Sequence, residues 1–119
     1  MKKTLVIGAS PNPLRYSHKA VKRLREYDHE VVAIGKRETQ IEDVEVIKEK
    51  PPLEGIHTVT LYVGPQNQDE YLDYIVSLKP ERIIFNPGTY NDTLEEMAKE
   101  AGIDCVEDCT LIMLSSDSY

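Results

Sequence analysis

The stretch Thr4–Arg15, TLVIGASPNPLR, constrains this chain more than any other. A short apolar run, Leu5-Val6-Ile7, stops at Gly8, and a small, proline-stiffened turn follows, Ala9-Ser10-Pro11-Asn12-Pro13. After Tyr16 a helical pattern begins. Strand, tight turn and helix at the head of an α/β chain form a phosphate-holding arrangement. The turn exposes backbone N–H groups and the helix N-terminus adds partial positive charge. The three-glycine dinucleotide fingerprint is incomplete: only Gly8 is present, and Ser10 stands where the second glycine would be. The same residues also suit an ordinary β–α turn punctuated by Ser-Pro and Asn-Pro.

The rest of the chain repeats the alternation. Ala20, Val21, Leu24 and Tyr27 recur at helical spacing and predict a helix from Ser17 to Tyr27, with Ser17 as its N-cap. Glu30–Ile34 is a continuous apolar run of the kind buried on both faces of a parallel sheet. Val44–Ile47 reads as a short edge strand, and Pro51-Pro52 and Gly55 break any helix after it. Thr58–Val63 is a β-branched strand. A helix follows from Asn67, capped through Glu70, with Tyr71, Leu72, Ile75 and Leu78 facing inward and Lys79-Pro80 ending it. Arg82–Phe85 is the next strand, and Asn91 caps a helix stopped by Gly102. Ile103–Val106 is the last strand, followed by a tail with a second apolar cluster, Leu111–Leu114. The pattern predicts one α/β domain over residues 1–119: a doubly wound, mostly parallel sheet of five to six strands with helices on both faces. Ligands bind such sheets beyond the carboxyl ends of the strands, where strand order reverses. Gly8–Arg15, Gly35–Arg37, Gly64–Gln66 and Asn86–Thr89 all follow strands and should crowd one rim.

Charge narrows the ligand. The net charge of −7 argues against a nucleic-acid surface. Residues 1–37 nevertheless carry nine Lys/Arg against three Asp/Glu, while residues 38–119 carry five against eighteen. Lys19, Lys22, Arg23 and Arg25 read as a solvated helix face; Arg15, Lys36 and Arg37 stand at element ends and read as anion contacts. An NAD site places an acid after the second strand to hold the ribose 2′-hydroxyl. This chain has Gly35-Lys36-Arg37 there, which favours an extra phosphate on the sugar: NADP or coenzyme A.

The chain lacks an assembled set of catalytic residues. Ser10 has no G-x-S-x-G elbow, and His18 is expected to donate to a phosphate or face solvent. Cys105 and Cys109 supply two of the four ligands a structural zinc site needs, and read as core residues. His57, Tyr62 and Tyr74 read as structural, and the adjacent Glu107 and Asp108 face opposite ways. The expectation is a protein without catalytic residues or a metal site. With two cysteines, no apolar run of about 20 residues and no signal-peptide pattern, it is expected in the cytoplasm, without a membrane partner.

The motifs G-A-S-x-N-P-x-R-Y-S at Gly8–Ser17, T-L-Y-V-G-P-Q-N-Q at Thr60–Gln68 and C-T-L-I-M-L at Cys109–Leu114 carry a resemblance. With the basic pair after strand two, the chain resembles the stand-alone CoA-binding domain proteins from Lys3 to about Leu114. These are small Rossmann-like proteins related to the N-terminal domain of the succinyl-CoA synthetase alpha subunit. The resemblance implies a site for CoA or an acyl-CoA. Gly8, Ala9, Ser10, Arg15, Tyr16 and Ser17 would meet the pyrophosphate. Lys36 and Arg37 would meet the 3′-phosphate, and Val63, Gly64 and Pro65 would flank the adenine. Asn86, Pro87, Gly88 and Thr89 would lie nearer the pantetheine. Many relatives carry Asn-Pro before the basic residue, where this chain has Gly35-Lys36, and Gln-x-Gly where it has Asn86-Pro87-Gly88. The alternatives are an NADP-dependent oxidoreductase-like domain and a regulatory or scaffold protein with a vestigial nucleotide pocket.

Overall fold

The computed structural model describes residues 1–119. Seven strands form one sheet: β1 (Thr4–Ile7), β2 (Val31–Ile34), β3 (Thr39–Ile41), β4 (Val44–Ile47), β5 (Thr58–Leu61), β6 (Arg82–Phe85) and β7 (Asp104–Glu107). Their order is β3-β4-β2-β1-β5-β6-β7, and every pairing is parallel except β3 with β4. The helices are α1 (Tyr16–Glu26), α2 (Leu72–Ser77), α3 (Asp92–Glu100) and α4 (Thr110–Ser115). This is the doubly wound α/β fold read from the alternation. None of the helices is long and apolar enough to cross a membrane.

The pleat sorts side chains onto two faces. Leu5, Ile7, Val59, Leu61, Ile83 and Phe85 point toward Ile75 of α2 and Leu94 and Ala98 of α3. Val6, Ala33 and Val46 point the other way, toward Val21 and Leu24 of α1 and Leu114 of α4. Each fully buried aliphatic side chain contributes about 1.5–3 kcal/mol. Strand order reverses between β1 and β5, so the loops leaving their carboxyl ends part above the sheet at that point.

Four local readings need correction. Val44–Ile47 forms as expected but lies inside the sheet, between β2 and the three-residue edge strand β3. Glu42 turns that hairpin in the left-handed region (φ +54°), and Arg25 fastens it by a two-pronged bond to Asp43 at 2.9 and 2.8 Å. Ser17 is not a cap: Arg15 occupies that position, and Ser17 is buried inside the first turn. Asn67 starts no α-helix. Two 3₁₀ turns, Pro65–Asn67 and Asp69–Tyr71, precede the six-residue α2, and the turn between them buries Gln68. Finally, the tail after β7 folds back as α4 against α1.

Other readings agree with the structure. Asn91 caps α3, accepting from the Thr93 and Leu94 amides at 3.0 and 3.3 Å. His57 Nδ1 lies 2.7 Å from the Thr58 hydroxyl, and Tyr74 packs on the core while donating to the Pro51 carbonyl at 2.6 Å. Cys105 is half-buried against the core, and burial pushes its thiol pKa up. Cys109 departs from the core reading: it is half-buried at the start of α4, in neither core cluster, and borders a surface depression.

Candidate functional site

Two glycines bring three loops together at the switch point. Gly8 ends β1 with φ +96°, a conformation L side chains rarely adopt, and a Cβ there would lie 2.7 Å from Val63 and 3.0 Å from the Tyr62 carbonyl group. A Cβ on Gly35 would lie 2.2 Å from the Ala9 carbonyl oxygen. The turn after β1 therefore abuts the loops after both β2 and β5 at van der Waals distance. Ile34 joins them further, its carbonyl accepting from the Gly8 and Ala9 amides at 2.8 and 3.0 Å.

The result is a cleft of about 500 Å³ over the carboxyl ends of β1, β2 and β5. Gly8, Ala9, Ser10 and Arg15 form one wall, Lys36 and Arg37 the second, and Val63 and Gly64 the third. Asn67, Glu70 and Tyr71, from the segment whose pattern predicts a helix, close that third wall. A second hollow of about 370 Å³ continues from Gly8, Ser10 and Arg15 past Tyr16 and Ser17 to Pro87 and Thr89. Tyr62 lines both hollows and joins them. Its side chain packs against the α1–α4 face of the sheet, and burial raises its pKa.

The cations fall into two groups. Arg25 bonds Asp43, Lys22 lies 3.9 Å from Glu42, and Arg23 lies 3.3 Å from Glu26. Lys19 sits over the Tyr16 ring. None of the seven ion pairs involves Arg15, Lys36 or Arg37. These three cations share one cleft. Beside them the first turn of α1 has no side-chain cap, and the Tyr16, Ser17 and His18 amides have no backbone acceptor. Free amides at the positive end of a helix dipole suit an anion.

The loop itself is fixed from beneath. His18 does not face solvent: it is buried, lines neither hollow, and its Nδ1 donates to the Ser10 carbonyl at 2.9 Å. The Ser10 hydroxyl accepts from the Asn12 amide at 3.1 Å, and the Asn12 side chain accepts from Leu14 at 3.0 Å. Gly8 and Ala9 thus shape the turn while their amides serve the sheet. Apart from the Ser10 amide, those without an acceptor lie further on, in the first turn of α1.

Three of the proposed site residues lie elsewhere. Pro65 opens a 3₁₀ turn and is exposed. Asn86 is buried with its amide committed inward: Nδ2 donates to Thr60 Oγ1 and the Leu61 carbonyl at 2.7 and 2.8 Å, and Oδ1 accepts from the Thr110 amide at 2.9 Å. Gly88 and Asn86 border a separate depression with Tyr90, Glu107, Asp108 and Cys109, and Pro87 alone is common to it and the second hollow. Gln68, unassigned from sequence, is completely buried. It donates to the Val63 carbonyl at 2.8 Å and to the Thr89 carbonyl at 2.6 Å, leaving its own oxygen without a partner. An orphaned buried acceptor costs about 1–3 kcal/mol.

The family model described as "CoA binding domain" matches residues 2–115. A crystal structure of an uncharacterized protein is 48% identical, superimposes with a TM-score of 0.96, and is covered over 100% of this chain and 98% of its own. A hypothetical protein from Pyrococcus horikoshii OT3 is 25% identical with a TM-score of 0.86, covering 97% of this chain and 82% of its own. An acetyl-coenzyme A synthetase from Ca. Korarchaeum cryptofilum shares the fold at 14% identity and a TM-score of 0.72, over 89% of this chain and 25% of that one. No curated protein matches the chain.

Proposed function

The chain belongs to the CoA binding domain family, and from that premise we propose that it is a cytoplasmic binding module for coenzyme A or an acyl-CoA, with no chemistry of its own. One observation carries the reading: Arg15, Lys36 and Arg37, none of them ion-paired, line the same cleft beside the uncapped first turn of α1. Coenzyme A has two anionic groups to match, a pyrophosphate and a ribose 3′-phosphate. Arg15 and the α1 amides hold the first, and Lys36 and Arg37 hold the second. Hydrogen bonds to charged groups contribute about 1.5–3 kcal/mol each, enough to orient such a ligand. The adenine then lies against Val63 and Gly64, and the pantetheine follows the second hollow past Tyr16 toward Pro87 and Thr89.

The residues fit the group. The close approach at Gly35 packs the second-strand loop on the turn after β1, so cations from both loops reach one ligand. The proposed absence of catalysis draws support from His18, which is turned beneath the loop and bonded to Ser10. It draws support also from Asn86, whose amide is used inside the protein. Calorimetric titration with CoA and with NADPH tests the assignment. Micromolar binding of CoA with NADPH at least about tenfold weaker supports it. Binding of NADPH without CoA turns the assignment to the oxidoreductase-like alternative, and no binding of either turns it to a vestigial pocket.

A further inference from the structure

Gln68 lies in neither hollow, yet it touches a loop from each. Its side-chain nitrogen has two hydrogens, and both are spent on backbone carbonyls: Val63, in the loop after β5, and Thr89, in the loop after β6. The amide cannot turn over, because its oxygen would then face two carbonyl oxygens. The side-chain oxygen therefore stays buried with no donor. An apolar side chain would avoid that loss but could not tie the loops. Nor can a neighbour stand in for the link. Asn86 bonds Leu61, Thr60 and Thr110 but neither Val63 nor Gln68, and the Thr89 hydroxyl donates to the Asn86 carbonyl at 2.8 Å.

We infer that Gln68 is a positioning residue that couples the two ends of the ligand site: it sets the adenine-side loop at Val63 against the pantetheine-side loop at Thr89. The inference rests on the CoA reading above, which gives each loop its end of the ligand. A ligand that spans both loops gains from having their spacing fixed in advance, because ordering them on binding would cost affinity. A ligand that touches the adenosine side alone gains little. The coupling also runs in both directions, since filling one side restrains the other through the same amide.

The test compares CoA with adenosine 3′,5′-bisphosphate, which lacks the pantetheine arm, on the wild-type protein and on Gln68→Met, a side chain of similar length without donors. The expected result is an affinity for CoA about tenfold lower in Gln68→Met, with the bisphosphate changed by less than about twofold. Equal losses for both ligands, or no loss for CoA, would overturn the inference while leaving CoA binding intact. Absence of CoA binding by the wild type would instead sink the parent reading, and this one with it. A measurement on wild-type protein covers the case in which Gln68→Met does not fold. Amide hydrogen exchange at residues 88–91 should slow when the bisphosphate alone is added. Slowing confined to residues 63–68 would contradict the coupling.

Discussion

At the amino end of the sheet, Arg82 stacks on the Tyr119 ring at 4.4 Å and donates to Thr58 at 2.8 Å. Tyr119 and Thr4 share a hydroxyl–hydroxyl bond of 2.5 Å, and Lys2 donates to the Tyr119 carbonyl. Lys3 reaches Glu30 and the Glu54 carbonyl. At the carboxyl end, Arg15, Lys36 and Arg37 line an open cleft beside a helix turn with no cap. The cleft's one acid, Glu70, is paired with Lys50 at 3.7 Å. Both ends hold cations, but at the amino end each has a partner within the protein, with only Arg82 Nη2 left without a hydrogen bond. Arg15, Lys36 and Arg37 have no ion pair at all. That difference separates a structural seal from the proposed binding site, and net charge alone could not reveal it. It also predicts that mutations at one end change stability, whereas those at the other change affinity.

The largest effect should come where the contrast can be broken outright. Gly35→Ala drives a methyl group into the Ala9 carbonyl, so CoA binding should be lost in calorimetry, with a stability loss of about 1–3 kcal/mol on denaturant unfolding. Tyr119→Ala removes a ring packed by His29 and Arg82. It should cost about 2–3 kcal/mol in denaturant unfolding and leave CoA affinity unchanged. Arg15→Ala should do the reverse, weakening CoA and 3′-dephospho-CoA alike by about 1.5–3 kcal/mol in titrations while the free protein melts as before. The smallest effect concerns pH. Burial, with the nearby amino terminus and Lys2, holds His29 below its ordinary pKa, and its Nδ1 accepts the Lys2 amide at 2.9 Å. Burial lowers His57 as well. The unfolded chain then binds more protons than the folded one just below the ordinary histidine pKa. Stability therefore falls as pH drops below about 6.5. Melting should occur at a lower temperature at acidic pH, and His29→Gln should reduce that slope.

The strands that carry the ligand loops were legible because continuous apolar runs such as Leu5–Ile7 and Ile83–Phe85 have one economical placement in a parallel sheet. The basic pair was legible because it ends a strand. Other features depend on partners far along the chain. Nothing near Gly8 announces that its amide serves Ile34, and nothing near Asn86 announces Thr110. The hairpin at Glu42-Asp43 lacks the Asn-Gly or Asp-Gly signal of a tight turn, so β3 passed unread. Asn67 and Glu70 imitate a capping box, yet burying Gln68 breaks the helix there into 3₁₀ turns. Gln68 itself could have been found only by asking what a glutamine does between two ligand loops.

A thermodynamic cycle tests the central claim most directly: CoA and 3′-dephospho-CoA titrated into wild-type protein and into the double variant Lys36→Ala/Arg37→Ala. If the pair holds the ribose phosphate, the variant weakens CoA by about tenfold or more and leaves dephospho-CoA unchanged. Equal weakening of both ligands, or of neither, would contradict the assignment.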